Sequence, residues 1–307
     1  MKTALTSIFQ LIAIFCWCCF ADAHNHDQDK GFDIKVTNLG NSIFELRTDR
    51  SGNVAVLIGE DGVFMVDTQM EHLAELIDGA QKKLSDNRDV NLIINTHFHR
   101  DHVRVNVYFK KRGAKIMAHP NVRRYIENPG ALKVLGREAP TFTPQYAPTI
   151  DLTKDTSIKM NGQSIELYHP PNAHTNSDIF VVFKEANVIH GGDLVSTRRF
   201  PFIDIDNGGS VLGFIDALRS IIEVADANTK IIAGHGPIAT LDDLEASIAM
   251  LVETHCLIKE LIEQGLSLEA IKALNPLNGY TEKWNWAFIT TERMVTIHYY
   301  DITGRLE

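Results

Sequence analysis

The chain has 307 residues and a formal charge of −9, with 30 Lys and Arg against 39 Asp and Glu. That balance excludes a protein that tracks nucleic-acid backbone over a broad cationic surface. Hydrophobic residues make up 44% of the chain, enough for a globular core, and no stretch after the first twenty residues is long and apolar enough to span a membrane.

The N terminus opens with Met1-Lys2, stays apolar to Phe20 and ends in Ala21-Asp22-Ala23, with small residues where signal peptidases select them. Residues 1–23 are therefore expected to be a cleaved signal peptide, residues 24–32 a flexible N-terminus, and residues 33–307 a single domain. Cleavage removes Cys16, Cys18 and Cys19, so Cys256 has no disulfide partner within the mature chain. The expected location is periplasmic or secreted, with no stable membrane span after cleavage.

Short apolar runs at 33–36, 42–46, 54–58 and 63–66 predict a β-meander, and Asp61-Gly62 is a hairpin signal. Leu73, Leu76, Ile77 and Ala80 recur at helical spacing over 71–84. The run Val90-Asn91-Leu92-Ile93-Ile94-Asn95 reads as a strand that leads into Thr96-His97-Phe98-His99-Arg100-Asp101-His102. A helix, a strand over 115–118 and a helix over 121–127 complete a first half. The segment 129–148 is rich in proline and glycine and reads as a long loop, its role open.

A second half begins with strands at 157–160 and 164–168, turned at Asn161-Gly162, and continues with strands at 179–183 and 187–190. Ser210 is placed to cap a helix whose Val211, Phe214, Ile215, Leu218, Ile221 and Ile222 share one stripe. After a strand at 230–233, Thr240 and Asp243 resemble a capping box for a long helix. Trp284, Trp286, Phe288, Tyr299 and Tyr300 are expected as helical packing, with pocket lining as the alternative. Two meander-plus-helix halves predict an α/β (α+β) fold, a four-layer αββα sandwich of two mixed β-sheets with helices on both outer faces.

The densest chemistry lies at 96–102. Alternate residues of an extended backbone share a face, so His97 and His99 point at one ion while a turn carries Asp101 and His102 to a neighbour. Three more candidates stand at predicted strand ends: His174 in Pro170-Pro171-Asn172-Ala173-His174, Asp193 in Gly191-Gly192-Asp193, and His235 in Gly234-His235-Gly236. They divide into His97, His99 and His174 for one metal and Asp101, His102 and His235 for the other, with Asp193 giving one oxygen to each. Nitrogen and oxygen donors without thiolate fit zinc, two ions per chain, with iron and manganese as alternatives.

On these residues the chain resembles the metallo-β-lactamase-fold superfamily, from about Asp33 to Leu261. The H-x-H-x-D-H motif is met at 97–102 and the later His, Asp and His at His174, Asp193 and His235. Asp67, after Phe64-Met65-Val66, matches the family's first motif, an aspartate that supports the metal loops from behind the ligands. The stretch from Asn187 through Asp193 to Pro201-Phe202-Ile203-Asp204 and Gly208-Gly209-Ser210 also resembles a secreted branch of zinc hydrolases of uncertain substrate. The chain departs from that branch at Arg104 and Val105, where two glycines are usual, and at His174-Thr175-Asn176-Ser177-Asp178.

The resemblance implies an exported dinuclear zinc hydrolase in which a metal-bridging hydroxide, oriented by Asp101 as catalytic residue, opens a lactam, lactone or thioester, β-lactamase-like activity included. A phosphodiesterase and a non-catalytic periplasmic metal-binding module are the alternatives. Arg100, Arg104, Arg198 and Arg199, with Asn176, are the candidate contacts to a small-molecule substrate. Four guanidinium groups near the ligands suggest an anionic one; arginines that simply face solvent are the competing reading.

Overall fold

The computed structural model describes residues 33–48 and 51–304, so the expected signal peptide and flexible N-terminus lie outside the described residues. The apolar runs of the first half form four antiparallel strands, β1 (Lys35–Gly40), β2 (Ile43–Arg47), β3 (Val54–Gly59) and β4 (Gly62–Val66). Three parallel strands extend the sheet: β5 (Leu92–Ile94), β6 (Lys115–Ala118) and β7 (Ile150–Asp151). The second sheet runs β12-β11-β10-β9-β8, built from β8 (Thr156–Met160), β9 (Gln163–Tyr168), β10 (Phe180–Phe183), β11 (Val188–Ser196) and β12 (Lys230–His235). Only its β11–β12 pair is parallel, so both sheets are mixed.

The period of two along each strand gives each sheet an inner and an outer face. Leu57, Phe64, Val66 and Ile94 of the first sheet pack against Ile165, Leu167, Val181, Phe183 and Ile232 of the second, all fully buried. Phe64 and Phe183 meet edge to face across this layer at 5.9 Å. Burying one such side chain is worth about 1.5–3 kcal/mol, and cutting either phenylalanine to alanine would cost about 3–5 kcal/mol.

Helices cover the outer faces. On the first half these are α1 (Ala74–Leu84), α2 (Arg100–Val103), α3 (Asn106–Lys110) and α4 (Pro120–Glu127). Val122 and Ile126 of α4 pack on Ala118 of β6, and the Tyr108 hydroxyl on α3 donates to Asp78 of α1 at 2.9 Å. On the second half they are α5 (Val211–Val224), α6 (Leu241–Glu263), α7 (Leu268–Leu274), α8 (Thr281–Trp284) and α9 (Thr291–Thr303). Phe214, Leu218, Leu251 and Ile297 from these helices bury the outer face of β10, β11 and β12 at Phe180, Val182, Ile189 and Ile231. The predicted caps form: Ser210 Oγ accepts from Gly213 N, and Thr240 and Asp243 exchange hydrogen bonds as a capping box. Each is worth about 1 kcal/mol.

The first strand lies at Lys35–Gly40 rather than 33–36, the helix expected after the histidine motif is split into α2 and α3, and three further features differ from the sequence expectation. The strand expected at 187–190 continues to Ser196, because Gly191 and Gly192 let it bulge rather than stop, with Gly192 at φ +54° and the register shifting on both sides of it. Asp193 therefore projects from within a strand. The loop 129–148 carries two single turns, Lys133–Leu135 and Pro144–Tyr146, and a Leu132–Arg137 bridge. Trp284, Tyr299 and Tyr300 are helical as expected, whereas Trp286 and Phe288 lie in the non-helical link between α8 and α9. Among the described residues no helix is long and apolar enough to cross a membrane.

Candidate metal centre

The ends of β4, β5 and β12, the bulged part of β11 and the loop after β9 meet at one edge of the sandwich. There the donor atoms of His97, His99, His174 and Asp193 lie within 4.8 Å of one another, and those of Asp101, His102 and His235 do the same. Asp193 Oδ2 stands 3.7 Å from His97 Nε2 and 3.7 Å from His174 Nε2. Its Oδ1 stands 3.2 Å from His102 Nε2 and 3.4 Å from His235 Nε2. His99 Nδ1 is 3.0 Å from His174 Nε2, and Asp101 Oδ2 is 3.2 Å from His235 Nε2.

The second nitrogen of four rings is held from behind, which fixes ring orientation and aims the free nitrogen at the cluster. Asp67, buried at the end of β4, accepts from Thr96 N, Thr96 Oγ1 and His102 Nδ1, each at 2.7 Å. Its backbone sits at φ +63°, a conformation that costs a non-glycine residue about 1–3 kcal/mol and that these bonds hold in place. His97 Nδ1 meets Thr96 Oγ1 at 3.0 Å, and His174 Nδ1 donates to the Phe202 carbonyl at 2.7 Å. Behind His99, Nε2 lies 2.9 Å from Asp204 Oδ2, which also accepts from Asn207 Nδ2 at 2.8 Å.

Burial holds His97 far below the usual histidine range and His174 down to about 4, so both are neutral imidazoles with a lone pair to give. For His102 and His235 burial pulls the same way, but the carboxylates of Asp193 and its neighbours outweigh it and raise both. Burial likewise opposes ionisation of Asp193, yet His235, His102 and His97 hold it well below the carboxylate range. The cluster thus favours a cation. His97 Nε2, His102 Nε2 and Asp193 Oδ1 are buried without a hydrogen-bond partner. Orphaned groups of this kind cost about 1–3 kcal/mol each, a cost that coordination of a metal ion removes. The donor set therefore fits a metal ion.

Close backbone approach makes room for this arrangement. A Cβ on Gly234 would run into Asp193 Oδ1 and lie 2.6 Å from the Gly192 carbonyl carbon, so only glycine lets β12 pass beside the Asp193 carboxylate.

A cavity of about 360 Å³ opens over the cluster, with His99, Asp101, Asp193 and His235 in its lining. Arg100 and Arg199 also line it. The structure does not bring Arg104, Arg198 or Asn176 there. Arg104 donates to the Thr141 carbonyl and lies 5.6 Å from the ring centres of Phe142 and Tyr146, so it holds the loop 129–148. Arg198 has an 84% exposed side chain and pairs with Asp243 at 3.6 Å. Asn176 accepts from Asn121 Nδ2 at both its backbone and its side-chain oxygen. Sequence reasoning missed Arg137 and gave no role to Asp204 or Phe202, while the cavity position of Trp286 and Phe288 is the alternative it held beside helical packing. The only signals were the stretch around Asp204 already quoted for the resemblance and the C-terminal aromatics.

The family model of the metallo-beta-lactamase superfamily matches residues 47–235. A metallo-beta-lactamase type 2 from Bacillus cereus is 22% identical over 188 residues, 61% of this chain and 67% of its own length. Among solved structures, a metallo-beta-lactamase from Pontibacter korlensis superposes with a TM-score of 0.57 at 17% identity, covering 71% of this chain and 99% of that one. A stereoselective inverting sec-alkylsulfatase from Pseudomonas sp. gives 0.65 at 14% identity, over 88% of this chain and 50% of that one. The structural likenesses establish the fold, two mixed sheets with helices outside. With the family model covering most of the chain, including every residue of the cluster, this protein belongs to the metallo-beta-lactamase superfamily of metal-dependent hydrolases.

Proposed function

We propose that the chain is an exported dinuclear zinc hydrolase that opens a lactam, lactone or thioester to the acid. The observation that carries this reading is the division of the Asp193 carboxylate, with Oδ2 toward His97 and His174 and Oδ1 toward His102 and His235. One carboxylate facing two donor groups is the arrangement that two ions share. Imidazole and carboxylate donors without thiolate favour zinc, and the relatives named metallo-beta-lactamases bring lactams into the substrate class. Export rests on the Met1 to Ala23 pattern.

Zinc held at these residues supplies a Lewis acid for the carbonyl and a water acidic enough to ionise near neutral pH. Asp101, partly exposed in the cavity lining and 3.2 Å from His235, orients the attacking water. Asp101 would take a proton from that water as it attacks and, as the acyl bond breaks, return it to the departing nitrogen, oxygen or sulfur. Asp67, Thr96, Asp204 and the Phe202 carbonyl keep the imidazoles from rotating, so the site needs little reorganisation during the reaction. Arg100 and Arg199 bring positive charge to the cavity and favour an anionic substrate.

The test is metal analysis of the mature protein together with turnover of a chromogenic cephalosporin and a panel of lactones and thioesters. Two zinc ions per chain are expected, fewer in Asp193→Ala, with hydrolysis abolished by chelator and restored by zinc. One ion or fewer at saturation, with no hydrolysis of any compound in the panel, refutes the reading. Mass spectrometry of exported protein should find His24 at the N terminus.

A further inference from the structure

Trp286 and Phe288 lie beyond the residues that the family model matches, yet both line the cavity. Their rings meet at 5.5 Å, Phe288 meets Phe202 at 5.3 Å, and Phe202 stacks on His99 at 5.6 Å. An unbroken series of aromatic rings therefore runs from the candidate metal ligands to the outer wall. The link that carries it is fixed in place: Trp286 Nε1 donates to the Phe200 carbonyl at 2.9 Å, and Arg293 donates to the Phe288 carbonyl.

Two guanidinium groups lie on this wall. Arg199 Cζ is 4.9 Å from the Trp286 ring centre, and Arg137 Cζ is 5.1 Å from that of Phe288. Both residues line the cavity. Although the chain has 39 acidic residues, no ion pair joins either one to a carboxylate among the described residues. The two acids in the cavity lining, Asp101 and Asp193, belong to the donor cluster. A guanidinium within cation–π distance of a ring is steadied by the π face and has N–H groups to offer an anion.

We propose that this wall recognises the non-reacting part of the substrate and takes an amphiphilic anion. An aromatic or long acyl body lies against Trp286, Phe288 and Phe202, and a carboxylate or sulfonate-type group meets Arg199 and Arg137. The proposal rests on the hydrolase reading for the place of the reacting end; the binding itself is a property of the wall.

The probe is 2-naphthalenesulfonate, compared with neutral 2-naphthalenemethanol and cationic 2-naphthylmethylamine. Each is titrated calorimetrically into mature protein, zinc-loaded and chelator-treated. The sulfonate is expected to bind about tenfold tighter than the alcohol in both forms, the worth of one charge-assisted contact, and the amine more weakly than either. Arg137→Gln, at an exposed position, and Arg199→Gln should each remove about that factor, Arg199→Lys should keep part of it, and Trp286→Ala should weaken sulfonate and alcohol alike. Equal binding of sulfonate and alcohol, or indifference to both arginine substitutions, overturns the proposal. So does sulfonate affinity that disappears with the zinc, since the metal would then hold the anion. Turnover is read separately. A protein that binds the sulfonate as stated but hydrolyses nothing loses the hydrolase reading alone, and one that hydrolyses its substrates with the arginines irrelevant loses this inference alone.

Discussion

His99 Nε2 lies 2.9 Å from Asp204 Oδ2 across 105 residues of sequence, and the carboxylate is fully buried behind the ring. Asp204 thereby decides that His99 offers Nδ1, rather than Nε2, to the cluster. Asp204→Ala should lower zinc affinity about 10–100-fold with all seven donor residues intact. Competition against a chromophoric chelator measures it, and an affinity equal to that of the unsubstituted protein would show that His99 orients itself without the carboxylate.

Gly234→Ala puts a methyl group against Asp193 Oδ1 and the backbone of Gly192. The backbone cannot yield, so Asp193 must swing away from His102 and His235. The expected outcome is a lower metal content per chain in metal analysis and a thermal midpoint lowered by several degrees, consistent with about 1–3 kcal/mol of overpacking. Full metal content in this variant would refute the tight approach.

Arg104→Ala releases the Thr141 carbonyl and the faces of Phe142 and Tyr146 together. Phe142 lines the cavity while Tyr146 is buried, its hydroxyl donating to Glu71 at 2.9 Å, so the loop should loosen chiefly at its cavity-facing part. Hydrogen exchange over 129–148 should accelerate about tenfold or more, as expected when about 1.4 kcal/mol of local anchoring is lost. Exchange in the strands stays unchanged, and trypsin should cut sooner at Lys133 or Arg137. Unaltered exchange in this segment would mean that Asn106 and Lys110, which bond the Tyr146 and Ala147 carbonyls, hold it alone.

His298, fully buried on α9 beside Thr254, has its pKa pushed down to about 3 by burial, with nearby His255 adding to the effect. Above pH 6.5 neither the native nor the unfolded chain is charged at this position. Below it the unfolded chain takes a proton that the native core refuses until about pH 3, so stability falls across that window. Urea midpoints at about pH 7, 5.5 and 4.5 should therefore drop less steeply in His298→Gln than in the unsubstituted protein, whatever their absolute values. Parallel pH profiles would show that the residue finds a proton or an escape in the native state.

What the sequence made legible follows from how locally each feature is encoded. His97, His99, Asp101 and His102 sit in six consecutive residues, and a strand leading into a turn is enough to group them. His174, Asp193 and His235 could be assigned because each carries donor chemistry beside a strand end expected from the sequence, although Asp193 lies within β11 and His174 within the loop after β9. Asp204, Arg137 and Trp286 carry no such local mark; they reach the site only through tertiary packing, which places segments 100 or more residues apart in contact. Neighbourhood in sequence also misled in the opposite direction. Arg104 is two residues from His102, but one helical turn directs it onto the loop wall, and Arg198 adjoins Arg199 yet faces Asp243 and solvent. The strand expected at 187–190 runs on through Gly191 and Gly192, because the bulge they allow lets β11 continue past Asp193.

Each donor group draws on both sheets: His97 and His99 come from the first half and His174 and Asp193 from the second, while Asp101 and His102 face His235. Neither half alone can assemble either group. A chain that has folded only its first half can hold an ion loosely at best, so tight metal uptake reports that the two layers have closed. The ion then acts as a rivet through their shared edge, and pulling it out should ease the layers apart at that edge before the Phe64–Phe183 layer behind it feels any strain.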